Sequence, residues 1–137
     1  MSYTPPDRKQ IGEWLTDYNT IAVVGLSDNP ERTSYQIAKA MQQAGYRIIP
    51  VNPNVTTVLD EKAYPSLLDI PEPVDIVNVF RRSEHTPDVA KEAIQIKPKL
   101  LWLQQGISNE ETARLADEAG LPIVMDRCIK VEHALTT

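Results

Sequence analysis

Short apolar segments that alternate with segments of helical periodicity are the feature that most constrains the fold of this chain. Residues 21–24 form a β-branched run without apolar/polar alternation, which is typical of a strand covered on both faces. The apolar residues of 34–44 then recur at helical spacing, and Gly45 stands where a helix commonly ends. Residues 46–51 predict a second strand, which Pro53 closes because proline lacks a backbone donor. The chain therefore begins as a β-α-β unit.

The same alternation continues to the end of the chain. Three further strands are predicted, at 74–80, 100–103 and 123–125. Thr86 predicts the N-cap of the helix after the first of them, and Ser108 predicts a capping box for the helix after the second. Another helix, about 7–18, precedes the first strand. The stretch 54–73 is irregular, with one short strand near 63–64.

Strands that alternate with helices indicate an open parallel sheet, because parallel neighbours need long, right-handed crossovers. We therefore expect an α/β, Rossmann-like open parallel sheet of about five strands, in the order 3-2-1-4-5, with helices on both faces. A chain of 137 residues has a typical single-domain size, and no linker or repeat divides it. The sequence thus predicts one domain over 1–137. Such sheets bind ligands at the carboxyl ends of their strands.

The charge and the cysteine content indicate which binding partners are disfavoured and which cellular compartment is expected. A net charge of −5 and a pI near 5.0 disfavour nucleic acid and anionic membranes as partners. No apolar run approaches the roughly 20 residues of a membrane span, and the polar N-terminus has no secretory signal. Cys128, as a lone cysteine, cannot form an internal disulfide, and with His85 and His133 it cannot complete a four-ligand metal site. We therefore expect a cytoplasmic protein without a metal.

The loop after the first strand contains residues suited to an anion. It places Gly25, Ser27, Arg32 and Ser34 at the start of a helix. Backbone N–H groups at a helix N-terminus carry partial positive charge, and a glycine lets a ligand approach closely. The alternative is an ordinary turn in which Ser34 is the N-cap. The position at the expected ligand edge favours phosphate binding.

The end of the second strand argues against a nicotinamide or flavin cofactor. The chain lacks G-x-G-x-x-G, and the strand ends in Asn52 and Pro53 rather than in an acid that would bind a ribose 2′-OH. Asn52 has an amide that can donate to a nucleotide, and Pro53 offers a flat apolar surface beside a base. The alternative is a simple Asn-Pro turn.

Two further strand ends carry candidate ligand residues. Phe80 is followed by Arg81 and Arg82, whose guanidinium groups suit phosphates, although exposed arginines commonly belong to a solvated loop. The predicted strand 100–103 is followed by Gln104, Gln105 and Gly106. These residues suit the wall of a ligand site, or merely a turn.

The inventory for catalysis is small. Cys128 and His133 are five residues apart and would lie on different sides of a helix. Asp126, Glu132 and His133 form a polar cluster that fits a structural role, tying down the last segment, better than acid-base chemistry. The sequence predicts no catalytic constellation.

Four ordered motifs together resemble those of the small, stand-alone CoA-binding protein family. They are VGLSDNPERTSY from Val24, GYRIIPVNP from Gly45, VDIVNVFRR from Val74 and MDRCIKVEH from Met125. The resemblance covers about 20–135. Members of this family are similar to the CoA-binding domain at the N-terminus of the succinyl-CoA synthetase α-subunit, which has a Rossmann-like fold.

The resemblance implies roles for individual residues. By it, Gly25, Ser27, Arg32 and Ser34 surround CoA phosphates, Asn52 and Pro53 border the adenosine, and Phe80 and Arg81 line the cleft. Relatives often carry a basic residue where this chain has Asn54, which leaves Arg32 or Arg82 for the 3′-phosphate. The phosphorylated histidine of the synthetase lies in another domain, so His85 and His133 do not inherit its role.

These observations predict a non-catalytic cytoplasmic module that binds coenzyme A or a short acyl-CoA. One alternative is an NAD(P)-binding oxidoreductase or a subunit of one, and another is an interaction domain with a vestigial cleft. Cys128 follows the fifth strand at the ligand edge, where its sulfur could meet the CoA thiol. The favoured interpretation at this point is that Cys128 is a small buried hydrophobe.

Overall fold

Five parallel strands form the central sheet of the computed structural model, which describes residues 3–137. Numbered in chain order, the strands are β1 (Thr20–Val24), β2 (Arg47–Val51), β3 (Thr57–Val58), β4 (Glu61–Lys62), β5 (Ile76–Val79), β6 (Leu100–Leu103) and β7 (Ile123–Val124). The pair β3 and β4 is antiparallel and separate, and the others follow the order β2-β1-β5-β6-β7. Met1 and Ser2, the first residues of the predicted domain, lie outside the described residues.

The predicted fold class is confirmed, with a strand order of the 3-2-1-4-5 type. The place outside β2 is taken by Tyr64, which forms a single parallel bridge with Val51 in the region of the predicted short strand. Tyr64 thus occupies the position that the third strand has in the 3-2-1-4-5 order. The predicted strand 74–80 is shorter, Ile76–Val79, and lies directly beside β1. Counted among the five sheet strands alone, β5 is therefore third in sequence but adjoins β1 rather than β2.

Helices cover both faces of the sheet, as predicted. They are α1 (Arg8–Asp17), α2 (Thr33–Gln43), α3 (Thr86–Ile96), α4 (Glu110–Glu118) and α5 (Ile129–Thr136). On one face, α1, α2 and α5 pack against strand residues that include Ile21 and Trp102. On the other face, α3 and α4 present small residues, Ala93 and Ala116 among them, to a layer that includes Leu101. Burial on both faces explains the continuous apolar runs of the strands.

Two helix starts differ from the sequence prediction. The N-cap of α3 is His85, and the Thr86 hydroxyl instead donates to the Ser83 carbonyl oxygen at 2.7 Å and lies 2.8 Å from the Thr112 hydroxyl. The N-cap of α4 is Asn109, whose side chain accepts from the Thr112 N–H at 2.9 Å. Thr86 is therefore not the cap, because its hydroxyl is engaged between α3 and α4, and α4 has Asn109 instead of Ser108 as its local cap.

Two classes of site are absent from residues 3–137. No helix there combines the length and the apolar character that crossing a bilayer requires. No group of His, Cys, Asp or Glu in the same residues is placed to hold a metal ion.

Candidate functional site at the carboxyl edge of the sheet

Gly25 makes the turn that brings the ends of β1, β2 and β5 together. Its N–H donates to the Val51 carbonyl at 2.8 Å, while the Phe80 N–H donates to the Val24 carbonyl at 2.9 Å. The backbone has φ +84°, and a Cβ at this position would overlap the Phe80 carbonyl oxygen. Only glycine fits such a turn without strain. The loop after β1 and the residues after β5 therefore share one narrow region.

The hydroxyl groups of the predicted anion loop shape its backbone. Ser34 Oγ accepts from the Ser27 N–H at 3.1 Å, and Ser27 Oγ accepts from the Asn29 N–H at 3.0 Å. The Arg32 N–H donates to the Asn29 carbonyl at 3.0 Å. Each hydroxyl accepts from the backbone in this way, so the loop is held in one conformation.

The N-terminus of α2 presents unpaired donors. Its N-cap is Arg32, without a side-chain hydrogen bond, so the alternative in which Ser34 is the N-cap is wrong. The first helical hydrogen bond joins the Gln36 N–H to the Arg32 carbonyl. The N–H groups of Thr33, Ser34 and Tyr35 have no acceptor among residues 3–137. Together with the positive end of the helix dipole, these donors can hold an anion.

Asn52 holds loops together at the end of β2. Its Nδ2 donates to the Leu26 carbonyl at 3.1 Å, and its Oδ1 accepts from the Asn54 N–H at 2.9 Å. Its own N–H donates to the Tyr64 carbonyl at 2.9 Å. The side chain predicted to border an adenosine is thus engaged with the protein at both polar atoms.

A cavity of about 190 Å³ lies at the carboxyl ends of β1 and β2, against the start of α3. The cavity has a mixed lining, with charged side chains such as Arg81 and Glu92 beside the apolar Val24. It brings together the predicted residues Pro53 and Arg81, and it adds Ser66 and His85, which the sequence analysis did not select. Its lining residues are Val24, Val51, Pro53, Pro65, Ser66, Arg81, His85, Asp88, Val89 and Glu92.

Arg32, Arg81 and Arg82 are exposed and differ from the other arginines because they form no ion pair within the described chain. By contrast, two carboxylates pair with Arg114 and raise its pKa, chiefly because its guanidinium donates a hydrogen bond to Glu111. The Arg81 Cδ would lie 3.3 Å from a Cβ at Gly25, which places this side chain against the turn. The charges of Arg32, Arg81 and Arg82 therefore remain available to a ligand.

The ends of β6 and β7 meet at a second, larger cavity of about 1030 Å³. Gln105 lines it, together with Met125, Arg127 and Cys128. Cys128 is partly exposed, so its interpretation as a buried hydrophobe is wrong. The Gly106 N–H donates to Asp126 Oδ1 at 2.6 Å, so this glycine serves as an anchor for the loop after β7. Gln105 and Gly106 therefore belong to a different part of the edge from Pro53 and Arg81.

The C-terminal polar cluster makes structural contacts. Glu132 is 4 % exposed, and its carboxylate lies 3.1 Å from Arg8 Nε and 3.4 Å from Arg127 Nη1. The His133 ring packs edge-on against Tyr46 with the ring centroids 5.6 Å apart. These contacts fix α5 to α1 and to the core.

The fold places the chain in the Rossmann-like class of parallel α/β proteins, and comparison with known proteins makes the family specific. A profile for the family described as CoA binding domain matches residues 19–134. The uncharacterized protein YneT of Bacillus subtilis is 52 % identical over 131 residues, covering 96 % of this chain and 97 % of YneT. The chain belongs to the CoA binding domain family, which confirms the resemblance found in its sequence.

Two other relatives show the range of the family. A hypothetical protein of Pyrococcus horikoshii has a solved structure with a TM-score of 0.93 and 39 % identity, covering 99 % of each chain. The ADP-forming acetate–CoA ligase II of Archaeoglobus fulgidus is 35 % identical over 95 residues, which are 68 % of this chain but only 14 % of the ligase. The domain thus occurs both in small proteins and as a minor part of large ligases.

Proposed function

We propose that this protein is a non-catalytic cytoplasmic module that binds CoA or a short acyl-CoA. The observation that carries the proposal is the cluster of unpaired donors at the carboxyl edge: the first N–H groups of α2 and the free guanidinium groups of Arg32, Arg81 and Arg82. CoA carries a pyrophosphate and a 3′-phosphate, and charge-assisted hydrogen bonds to such groups are the strong ones. Membership of the CoA binding domain family supports the same ligand.

The ligand follows the edge of the sheet in this proposal. The pyrophosphate lies at the N-terminus of α2, between Arg32 and Arg81, and the adenine enters the cavity of about 190 Å³ beside Pro53. The pantetheine arm then runs past Phe80 over the ends of β5 and β6. Each segment of CoA thus meets groups of matching chemistry.

Asn52 supports CoA over NAD. Both polar atoms of its side chain are engaged, with Leu26 and Asn54, and no acid replaces it at the end of β2. A dinucleotide with a free ribose 2′-OH therefore lacks its usual acceptor at this position.

The arrangement of the C-terminal residues supports a binding role without catalysis. His133 packs against Tyr46, and Glu132 is held by two arginines, so neither is free to act on a ligand. The lone cysteine, which cannot form an internal disulfide, supports the cytoplasm as the compartment.

Calorimetry on the wild-type protein tests the function with CoA, dephospho-CoA and NAD as ligands. We expect CoA to bind most tightly, dephospho-CoA more weakly and NAD weakest. If NAD binds as tightly as CoA while dephospho-CoA matches CoA, the proposal fails and the oxidoreductase alternative is favoured.

A further inference from the structure

Glu92 carries a carboxylate that has no cationic partner although it lines a small cavity. The residue lies in the middle of α3, is partly buried and belongs to the lining of the cavity of about 190 Å³ at the carboxyl ends of β1 and β2. It takes part in no ion pair within residues 3–137. Because a carboxylate withdrawn from water needs compensating hydrogen bonds, a donor on a ligand would be stabilised here.

Ser66, which lines the same cavity, holds this carboxylate in place. Its hydroxyl oxygen accepts from the Leu68 N–H at 3.1 Å, and the hydroxyl donates to Glu92 Oε1 at 3.0 Å. Glu92 Oε2 has no donor among residues 3–137, and no fully buried side-chain oxygen in that range lacks a partner, so Oε2 remains accessible. The protein therefore fixes one carboxylate oxygen and leaves the other free to accept from a ligand.

The remaining lining of the cavity indicates what kind of ligand would meet Glu92. Arg81 lines it without an ion pair to Glu92, and Val51, Pro53 and Val89 add apolar surface. The volume lies below the roughly 300–1,000 Å³ of a pocket for a whole small molecule, so the cavity suits one part of a larger ligand. That ligand needs an anionic group for Arg81, an apolar face and an N–H donor for Glu92. A nucleotide whose base carries an amino group combines all three.

We propose that Glu92, positioned by Ser66, selects adenine over guanine in this cavity. The inference rests on the proposed function, which puts the adenine of CoA there. The 6-amino group of adenine donates to Glu92 Oε2, whereas guanine has an acceptor oxygen at the same ring position, which leaves both oxygens unpaired. A carboxylate can instead bind the N1–H and the 2-amino group of guanine, but that contact uses both oxygens, and Ser66 already occupies one of them.

Calorimetry with adenosine 3′,5′-bisphosphate and guanosine 3′,5′-bisphosphate tests the proposal, because these two ligands share the ribose and the phosphates and differ only in the base. We expect the wild-type protein to bind the adenosine compound more tightly by about tenfold or more, which corresponds to one hydrogen bond to a charged group. Equal affinities, or tighter binding of the guanosine compound, would overturn the proposal.

Glu92→Gln tests the residue itself, because Ser66 can still donate to the amide oxygen and the amide nitrogen then takes the place of Oε2. The variant offers guanine a donor, so the preference for adenosine should fall to about twofold or less. Asp88→Asn is the matched control: Asp88 lines the same cavity, but its side chain is 87 % exposed and lies 4.0 Å from Lys91 Nζ. This control should keep the wild-type preference. An unchanged preference in Glu92→Gln, with its fold checked by thermal unfolding, would contradict the role of Glu92.

Calorimetry with CoA itself separates this inference from the proposed function. If CoA binds while the two bisphosphates bind equally, or while neither of them binds, the base selection fails and the CoA-binding function stands. If the adenosine compound is preferred but CoA does not bind, the base selection stands and the proposed function fails. If neither CoA nor the bisphosphates bind, both fail.

Discussion

The two edges of the central sheet treat charge in opposite ways. At the amino edge, Asp75 accepts from the Asn19 N–H at 2.8 Å and from the Thr20 N–H at 3.2 Å, and Lys99 Nζ lies 3.4 Å from it. At the carboxyl edge, Arg81 and Arg82 are exposed and have no ion pair within residues 3–137. The charge of Asp75 at the amino edge is therefore paired within the protein, whereas the charges of Arg81 and Arg82 at the carboxyl edge are not.

The paired carboxylates of the amino edge also have lowered pKa values. Burial alone would raise the pKa of Asp75, but hydrogen bonds from Asn19 and Thr20 and the nearby Lys99 outweigh it and lower the pKa. The pKa of Glu72 is likewise lowered, chiefly by its hydrogen bond from Arg47 at 2.6 Å. Satisfied charges of this kind serve stability, whereas we propose that the unsatisfied donors at the other edge serve binding. The following changes separate the two roles.

Gly25→Ala should have the largest effect, because it introduces a Cβ against the Phe80 carbonyl at φ +84°. We expect the free energy of unfolding to fall by about 3–5 kcal/mol, from strain and overpacking together, with loss of CoA binding. The matched control is Gly45→Ala, which has φ +106° but open space around the new Cβ. It should cost about 1–2 kcal/mol in urea denaturation and leave CoA binding intact. Equal losses in both variants would contradict the tight contact at Gly25.

Arg81→Ala and Arg32→Ala should each weaken CoA binding by about 1.5–3 kcal/mol, the range for hydrogen bonds to charged groups. Their unfolding free energies should change little, because neither side chain has an ion pair within the described residues. The control Arg47→Ala removes the same charge from the amino edge, where the side chain is 49 % exposed. It should lower stability by at most about 1 kcal/mol and spare CoA binding in calorimetry. Unchanged affinity in both carboxyl-edge variants would move the site elsewhere.

Asp75→Asn should lower the free energy of unfolding near pH 7 by about 1–2 kcal/mol, since a charged acceptor of two backbone N–H groups is lost. The folded-state pKa of Asp75 is depressed, so its stabilisation is present above the ordinary carboxyl pKa and is lost as the pH falls through the folded-state value. Urea denaturation from about pH 7 down to about pH 2 should therefore show a shallower acid decline in the variant than in the wild-type protein.

The control for Asp75 is Asp17→Asn, which removes an exposed carboxylate outside this network. It should change stability by no more than about 0.5 kcal/mol. If both variants follow the same pH dependence, Asp75 does not anchor the amino edge. CoA affinity should be the same in both variants, because neither residue lies at the carboxyl edge.

Arg82→Ala should have the smallest effect and should depend on the ligand. We expect CoA to bind more weakly by about 1 kcal/mol and dephospho-CoA to bind as before, because an exposed guanidinium contributes little beyond its own phosphate partner. Arg114→Ala removes another exposed charge, from α4, and should affect neither ligand. If Arg32→Ala instead of Arg82→Ala discriminates between the two ligands, Arg32 faces the 3′-phosphate.

The backbone pattern and the family could be predicted from the sequence because both depend on local order along the chain. The β-branched runs gave the strands, and the four ordered motifs gave the family, which the match to residues 19–134 confirms. The residue types after β1 also located the turn at Gly25. The placement of Gln105 and Gly106 in the same ligand site remains a prediction, and in the structure they line or anchor the second cavity.

Partners across space could not be predicted, because a local pattern shows which groups a residue carries but not what faces them. Thr86 is a residue type that commonly caps helices, yet its hydroxyl is hydrogen-bonded to that of Thr112 on another helix, 26 positions away. Asn52 and Cys128 show the same limit: the fold engages the Asn52 amide with Leu26 and holds Cys128 over β6. The sequence by itself determined the alternation of strands and helices, the open glycine turn and the family. The tertiary structure alone decided which polar groups are satisfied and which remain free, because that depends on packing between elements distant in the chain.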